Sequence, residues 1–83
     1  MGFSRLPVID MAATGRNIEK LRRKHGLKVA QVQEVFGFST PQAIYKWERG
    51  ATIPSLDNLV VLAALYECKI DDLIVLEKHQ PEG

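Results

Sequence analysis

The chain has 83 residues, is 46% apolar and 25% charged, and carries a formal net charge of +1. That length allows one domain, and the composition is ordinary for a globular protein with a small core. No apolar run is long enough to span a bilayer, the N-terminus lacks the pattern of a signal peptide, and the single Cys68 cannot form an internal disulfide, so a reducing cytoplasm is the expected setting.

Residues 1–9 contain a proline and no clear period, and read as an extended or loosely held arm with a weak strand signal at Val8–Ile9. Asp10 is placed to cap a first helix running to His25. The helix starts there or near Thr14, because Gly15 weakens an interior position. Met11, Ile18, Leu21, Arg22 and His25 then share one face, with Thr14 and Gly15 beside it. Gly26 ends this helix. The second helix runs over residues 28–36 with Val32, Val35 and Phe36 inward, and Gly37 ends it with positive φ. Ser39 or Thr40 caps a third helix with Pro41 at its first position, and Gly50 ends it. Residues 51–54 form a loop. Ser55 caps a fourth helix to about Glu67, burying Leu56, Leu59, Val60, Ala63 and Leu65 or Tyr66. Residues 70–76 form a short fifth helix burying Ile70, Leu73 and Ile74. The reading is all-α: an arm at 1–9, a compact five-helix bundle at 10–77, and a frayed end at 78–83.

The third helix has two unlike faces. Gln42, Tyr45, Lys46 and Arg49 are spaced i, i+3, i+4, i+7 and fall on one side, while Ile44 and Trp47 fall on the other. An amide, a phenol and two cations are groups that read base edges and phosphates. A short exposed helix braced by another across a tight turn is a way to enter the DNA major groove. The charge distribution agrees. Residues 1–50 hold nine Lys/Arg and four Asp/Glu, a balance of plus five; residues 51–83 hold two and six, a balance of minus four. A basic half suits a polyanion, and an acidic half can face away or face a partner.

Two charges fall on inward sides: Glu48 beside Trp47, and Arg22 with Ile18 and Leu21. An unpaired buried charge is very costly, so Arg22 and Glu48 are expected to meet as a guanidinium–carboxylate pair that ties the third helix to the first. The alternative is that each side chain reaches water separately.

Leu21-Arg22, Gly26-Leu27, Gly37, Ile44 with Trp47-Glu48 and Gly50, Pro54-Ser55 with Asn58-Leu59, and Ile70-Asp71 with Leu73 together resemble the phage-repressor/Cro-type (XRE) helix-turn-helix family, over about residues 14–76. The stretch 39–50 is its most specific part. The resemblance implies a five-helix, lambda-repressor-like fold with the helix-turn-helix at helices 2 and 3. It also implies sequence-specific binding of double-stranded DNA, regulation of transcription, and an Arg22–Glu48 pair. The chain departs from the family pattern in three places. The stretch from Gly37 to Ile44 is one residue longer than is common, Gln33 stands where a small residue is usual, and Val29 replaces a frequent glutamine. The longer turn is expected to relieve crowding from Gln33.

Base contacts are assigned to Gln42, whose amide suits adenine N6 and N7, to Lys46 for guanine O6/N7 or else a phosphate, and to small Ala43; a good bidentate pair is worth about 1–3 kcal/mol of discrimination. Backbone contacts are assigned to Lys28, Thr40, Tyr45, Arg49 and Thr52. Arg16, Lys20, Arg23 and Lys24 form a basic face on the first helix, which is ordinarily just solvated. His25 and His79 lack neighbours at metal-ligand spacing, Cys68 lacks an activating partner, and Asp71 and Asp72 favour a helix start rather than paired acid catalysis. No metal, cofactor or enzymatic activity is expected. One domain reads only about four or five base pairs, so a homodimer on a two-fold site is expected, and the acidic C-terminal half can supply a dimer face or dock a protein partner. The competing reading is a protein–protein adaptor or antitoxin-like module on the same fold.

Overall fold

The computed structural model describes residues 6–78, and five helices lie along them: α1 (Met11–Lys24), α2 (Val29–Phe36), α3 (Gln42–Glu48), α4 (Leu56–Leu65) and α5 (Ile70–Leu73). The expected frayed end, apart from Lys78, and the first five residues of the arm lie outside the described residues.

α1 begins where Asp10 accepts a hydrogen bond from the Ala13 N–H at 2.9 Å, so the earlier of the two possible starts is the one observed. Gly15 is a helical residue because the end of α3 lies directly on it. A Cβ there would sit 2.6–2.7 Å from the Glu48 and Trp47 carbonyl oxygens and the Gly50 nitrogen. A Cβ on Gly50 would in turn meet the Met11 carbonyl oxygen at 2.6 Å. The α1–α3 crossing is thus a backbone-to-backbone approach that only glycine permits at both points.

Helices α1, α2 and α3 end in the same way. After each, the glycine adopts left-handed φ (66° at Gly26, 69° at Gly37, 75° at Gly50) and the next residue's N–H reaches back five positions. These bonds run from Leu27 to Arg22, from Phe38 to Gln33 and from Ala51 to Lys46, at 2.9–3.1 Å. This is the Schellman arrangement, which satisfies carbonyls the helix would otherwise leave bare. α4 ends identically, with Cys68 N–H on the Ala63 carbonyl, but Glu67 (φ 54°) stands in the glycine position.

The core is Ile18, Val32, Ile44, Trp47, Leu59, Leu62, Ala63, Tyr66 and Leu73. It corrects several inward assignments. Met11 lies at the open start of α1 and is exposed. Val35 is exposed because α2 turns only Val32 fully inward, with Phe36 packed at the core's edge. α4 is rotated from the expected register: Leu56 is 70% exposed and Val60 is also open, while Leu62 is wholly buried with Leu59, Ala63 and Tyr66. Ser55 stands at the N-cap of α4, yet its hydroxyl donates to the Asp57 carboxylate rather than capping the backbone. That bond holds the exposed Asp57 carboxyl below its usual range. At α3 the N-cap is Pro41, not Ser39 or Thr40, and the helix starts one residue later than expected.

α5 is also shorter than expected and stops at Leu73, with Ile74 extended (φ −94°, ψ 130°). Two α1 side chains impose that stop. Asn17 donates to the Asp72 and Leu73 carbonyls at 2.6 and 3.1 Å. Thr14, wholly buried, accepts from Val75 N–H at 2.9 Å and donates to its carbonyl at 3.2 Å. The chain then runs antiparallel to the arm. Asp10 N–H donates to Val75, Glu77 N–H donates to Val8, and Ile9 faces Leu76. The arm is therefore held at residues 8–10, and the weak strand signal at Val8–Ile9 appears as this one bridge.

Candidate nucleic-acid interface

α2, the turn after it and α3 form a unit held from the inside. Ile44 and Trp47 are buried on the inner side of α3. Phe36, Phe38 and Trp47 make a three-ring cluster: Phe36 and Phe38 stack at 5.1 Å, and each meets Trp47 edge-on, at 5.4 and 5.9 Å. Such pairs contribute about 0.5–1.5 kcal/mol each beyond the area they bury. Gln33, the bulky departure from the family pattern, is half-buried and turns its amide onto the Phe38 carbonyl at 3.1 Å.

Arg22 and Glu48 meet on the inner side of α3. Arg22 Nε donates to Glu48 Oε2 at 2.7 Å and Nη2 to Oε1 at 3.1 Å, a bidentate fork, and Nη1 donates to the Leu27 carbonyl at 2.9 Å. Both side chains are about nine-tenths buried. The hydrogen bond to Glu48 raises the Arg22 pKa above its usual value despite burial. The fork joins α1 to the last residue of α3, and the Leu27 bond ties in the start of the next segment. Tyr66 (1% exposed) lies close enough to feel both charges. Burial, then the Glu48 charge, push its phenol to about 12, and its hydroxyl has no hydrogen-bond partner among the described residues.

With its acid turned inward, α3 shows only neutral and cationic groups outside. Gln42, Tyr45, Lys46 and Arg49 are all exposed. Thr40 is exposed beside them, its hydroxyl 3.5 Å from the Gln42 N–H. Thr52 is exposed just past the helix, where its N–H and that of Ala51 converge on the Lys46 carbonyl. Lys28 is exposed at the start of α2, its N–H held by the Gln31 side chain at 2.8 Å. Ala43 differs from the rest of the expected set: it is half-buried against the core and offers only the edge of its methyl. On α1, Arg16, Lys20 and Lys24 are exposed, whereas Arg23 is tied to Glu19 at 2.8 Å, which lowers the effective charge of that basic face.

Phe38 and Gln33 escaped the sequence reading as site-building residues. The signal was present in the first case: an apolar residue directly after a C-terminal glycine commonly folds back onto its helix. Cys68 is half-buried, and burial followed by the Asp72 charge raises its thiol pKa, the opposite of a nucleophile's environment. Among the described residues no group of three or more His, Cys, Asp or Glu is placed to hold a metal, and no helix is long and apolar enough to cross a membrane.

The chain is similar in fold to two solved structures. The DNA-binding domain of BldD from S. venezulae is 23% identical over 78% of this chain and 96% of its own, with a TM-score of 0.67. The restriction-modification controller protein C.AhdI from Aeromonas hydrophila is 25% identical over 77% of this chain and 96% of its own, with a TM-score of 0.68. No curated protein matches the sequence. A helix-turn-helix family model matches residues 18–73, from the middle of α1 to the end of α5. The chain belongs to the XRE-type helix-turn-helix family.

Proposed function

We propose that this protein is a transcriptional regulator that binds a specific double-stranded DNA sequence through α3. The observation that carries the reading is the division of that helix. Ile44, Trp47 and the Arg22–Glu48 fork hold one side inside, and every polar or cationic side chain of the other side is exposed. In the major groove Gln42 would read adenine, Lys46 guanine or a phosphate, and Ala43 would lend a methyl edge at most. Lys28, Thr40, Tyr45, Arg49 and Thr52 would hold the phosphates and set register. The family and the controller protein among its structural neighbours support this reading.

The reading includes a homodimer. A single α3 covers too few base pairs to be selective in a genome, and a two-fold site one helical turn apart removes that limit. Leu56, Val60 and Val61 on the outer side of α4 are exposed and apolar, and can be covered by a second copy. The same face favours the second reading, an adaptor that docks a protein partner there.

Selection of bound duplexes from a random pool tests the activity and yields the half-site spacing. With the selected duplex in hand, Gln42→Ala should lose most of its affinity for that duplex and little for random DNA, whereas Lys28→Ala should weaken both about equally. Binding should also weaken as salt rises, with a log–log slope near −0.9 per phosphate neutralised. An adaptor would enrich no sequence and show no such slope. Equal losses in the two variants would remove Gln42 from the base-reading set.

A further inference from the structure

We infer that Gln33 and Phe38 form a clasp that sets the orientation of α3 and thereby the sequence it discriminates; this rests on the reading of α3 as the recognition helix. Both backbone polar groups of Phe38 are bound to one residue. Its N–H donates to the Gln33 carbonyl at 3.1 Å, and its carbonyl accepts from Gln33 Nε2, also at 3.1 Å. Its ring is fixed as well, stacked on Phe36 and set edge-on against Trp47. One residue of the turn is therefore tied to α2 by two hydrogen bonds and a ring, and to the inner side of α3 by that same ring.

Nothing comparable holds the start of α3 locally. Its N-cap is Pro41, which makes no side-chain capping bond, and the Thr40 hydroxyl is 3.5 Å from the Gln42 N–H, at the limit of a hydrogen bond. Ser39 and Thr40 are exposed. The clasp is thus the nearest fixed point upstream of Gln42. Gln33 Nε2 is engaged by Phe38, so Gln33 acts through Phe38 as a positioning residue.

The consequence is unequal for the two kinds of contact. A bidentate amide–adenine pair depends on distance and angle, so a small rotation of α3 spoils it. Lysine and arginine on long stems follow a phosphate through the same rotation. Loss of the clasp should therefore reduce discrimination and leave non-specific affinity nearly intact. One hydrogen bond of this kind corresponds to about a three- to tenfold effect.

The test uses the full chain, the duplex it selects from a random pool, and a scrambled duplex of the same length. Gln33→Met keeps the length and apolar stem of the side chain and removes the donor. It should melt within a few degrees of wild type, bind the scrambled duplex within about twofold, and lose about three- to tenfold in the selected-to-scrambled ratio. Phe38→Leu should lose at least as much, and Phe38→Tyr, which keeps the ring, should restore the ratio. Amide hydrogen exchange at Phe38 and Tyr45, whose N–H groups bond to the Gln33 and Pro41 carbonyls, should quicken in Gln33→Met when measured without DNA. A Gln33→Met ratio within twofold of wild type, equal losses on both duplexes, or unchanged exchange at Phe38 and Tyr45 would each overturn the clasp. Should Phe38→Leu fail to fold, the methionine variant still decides. A wild-type chain that enriches no sequence overturns the DNA reading itself, and that result is visible before any variant is made.

Discussion

α3 and α4 are neighbours in sequence with opposite compositions, and the contrast shows what determines a helix's rotation in a fold. α3 carries Ile44 and Trp47 among polar residues, and a single rotation buries both and frees Gln42, Tyr45, Lys46 and Arg49. α4 reads Leu-Asp-Asn-Leu-Val-Val-Leu-Ala-Ala-Leu, so almost any rotation buries several apolar side chains. Packing then decides: Leu59, Leu62, Ala63 and Tyr66 fill the core, while Leu56 and Val60 are left outside. The ends differ too. α3 closes on Gly50, which the approach to α1 requires, whereas α4 closes on Glu67, in a left-handed conformation that costs a side-chain-bearing residue about 1 kcal/mol.

Breaking the contact that fixes α3 should have the largest effect. Arg22→Ala leaves Glu48 buried and unpaired, at a cost of about 3–5 kcal/mol. For a domain of this size that corresponds to a melting temperature lower by about 12 °C or more, measured by circular dichroism. A shift within error would show that the fork adds nothing to the fold.

The next effect tests the chosen side of α4. Leu62→Ala should cost about 2–5 kcal/mol, because a wholly buried side chain leaves a cavity. Leu56→Ala should change stability by about 0.5 kcal/mol or less in dilute protein. Equal costs in urea titrations would mean that α4 sits in the other rotation. A Leu56 cost that grows with protein concentration would sharpen the comparison by assigning its outer face to a dimer.

The smallest effect lies at Tyr66, just past the end of α4 and beside the Arg22–Glu48 fork. Its folded-state pKa of about 12 exceeds the ordinary 10.0. Ionising the buried phenol therefore costs stability: none is lost below pH 10, and the loss grows as pH rises from about 10 toward 12. At about 1.4 kcal/mol per pH unit the loss amounts to about 2–3 kcal/mol. Tyr66→Phe should abolish that part of the alkaline loss. Near neutral pH it should be nearly neutral or slightly stabilising, because the hydroxyl it removes has no partner among the described residues. Identical melting curves for the two proteins from pH 9 to 12 would refute the assignment.

Much of this was legible from local chemistry. Three glycines marked three helix ends because left-handed φ is costly for other residues, and the fourth end was placed too late because Glu67 gives no such mark. Arg22 and Glu48 announced themselves as charges on inward faces. What stayed hidden depended on contacts between distant segments. α5 stops at Leu73 because Asn17 takes the Asp72 and Leu73 carbonyls and Thr14 holds the backbone of Val75, and nothing within residues 70–76 says so. Gly15 by itself weakens α1, and only the backbone of α3 lying on it explains why glycine stands there.

The sequence by itself determined the number of helices, the outward face of α3 and the candidate groups upon it, because polar residues at helical spacing leave one low-energy rotation and glycine leaves one low-energy turn. Only the tertiary structure decided the rotation of α4, the length of α5, the pairing of the arm with residues 75–77 and the tie from Gln33 to Phe38. Those features depend on which of several equally apolar or equally polar partners arrives in space, and that competition is settled by packing and hydrogen bonding, across the Gly37 turn for the last and between segments far apart along the chain for the others.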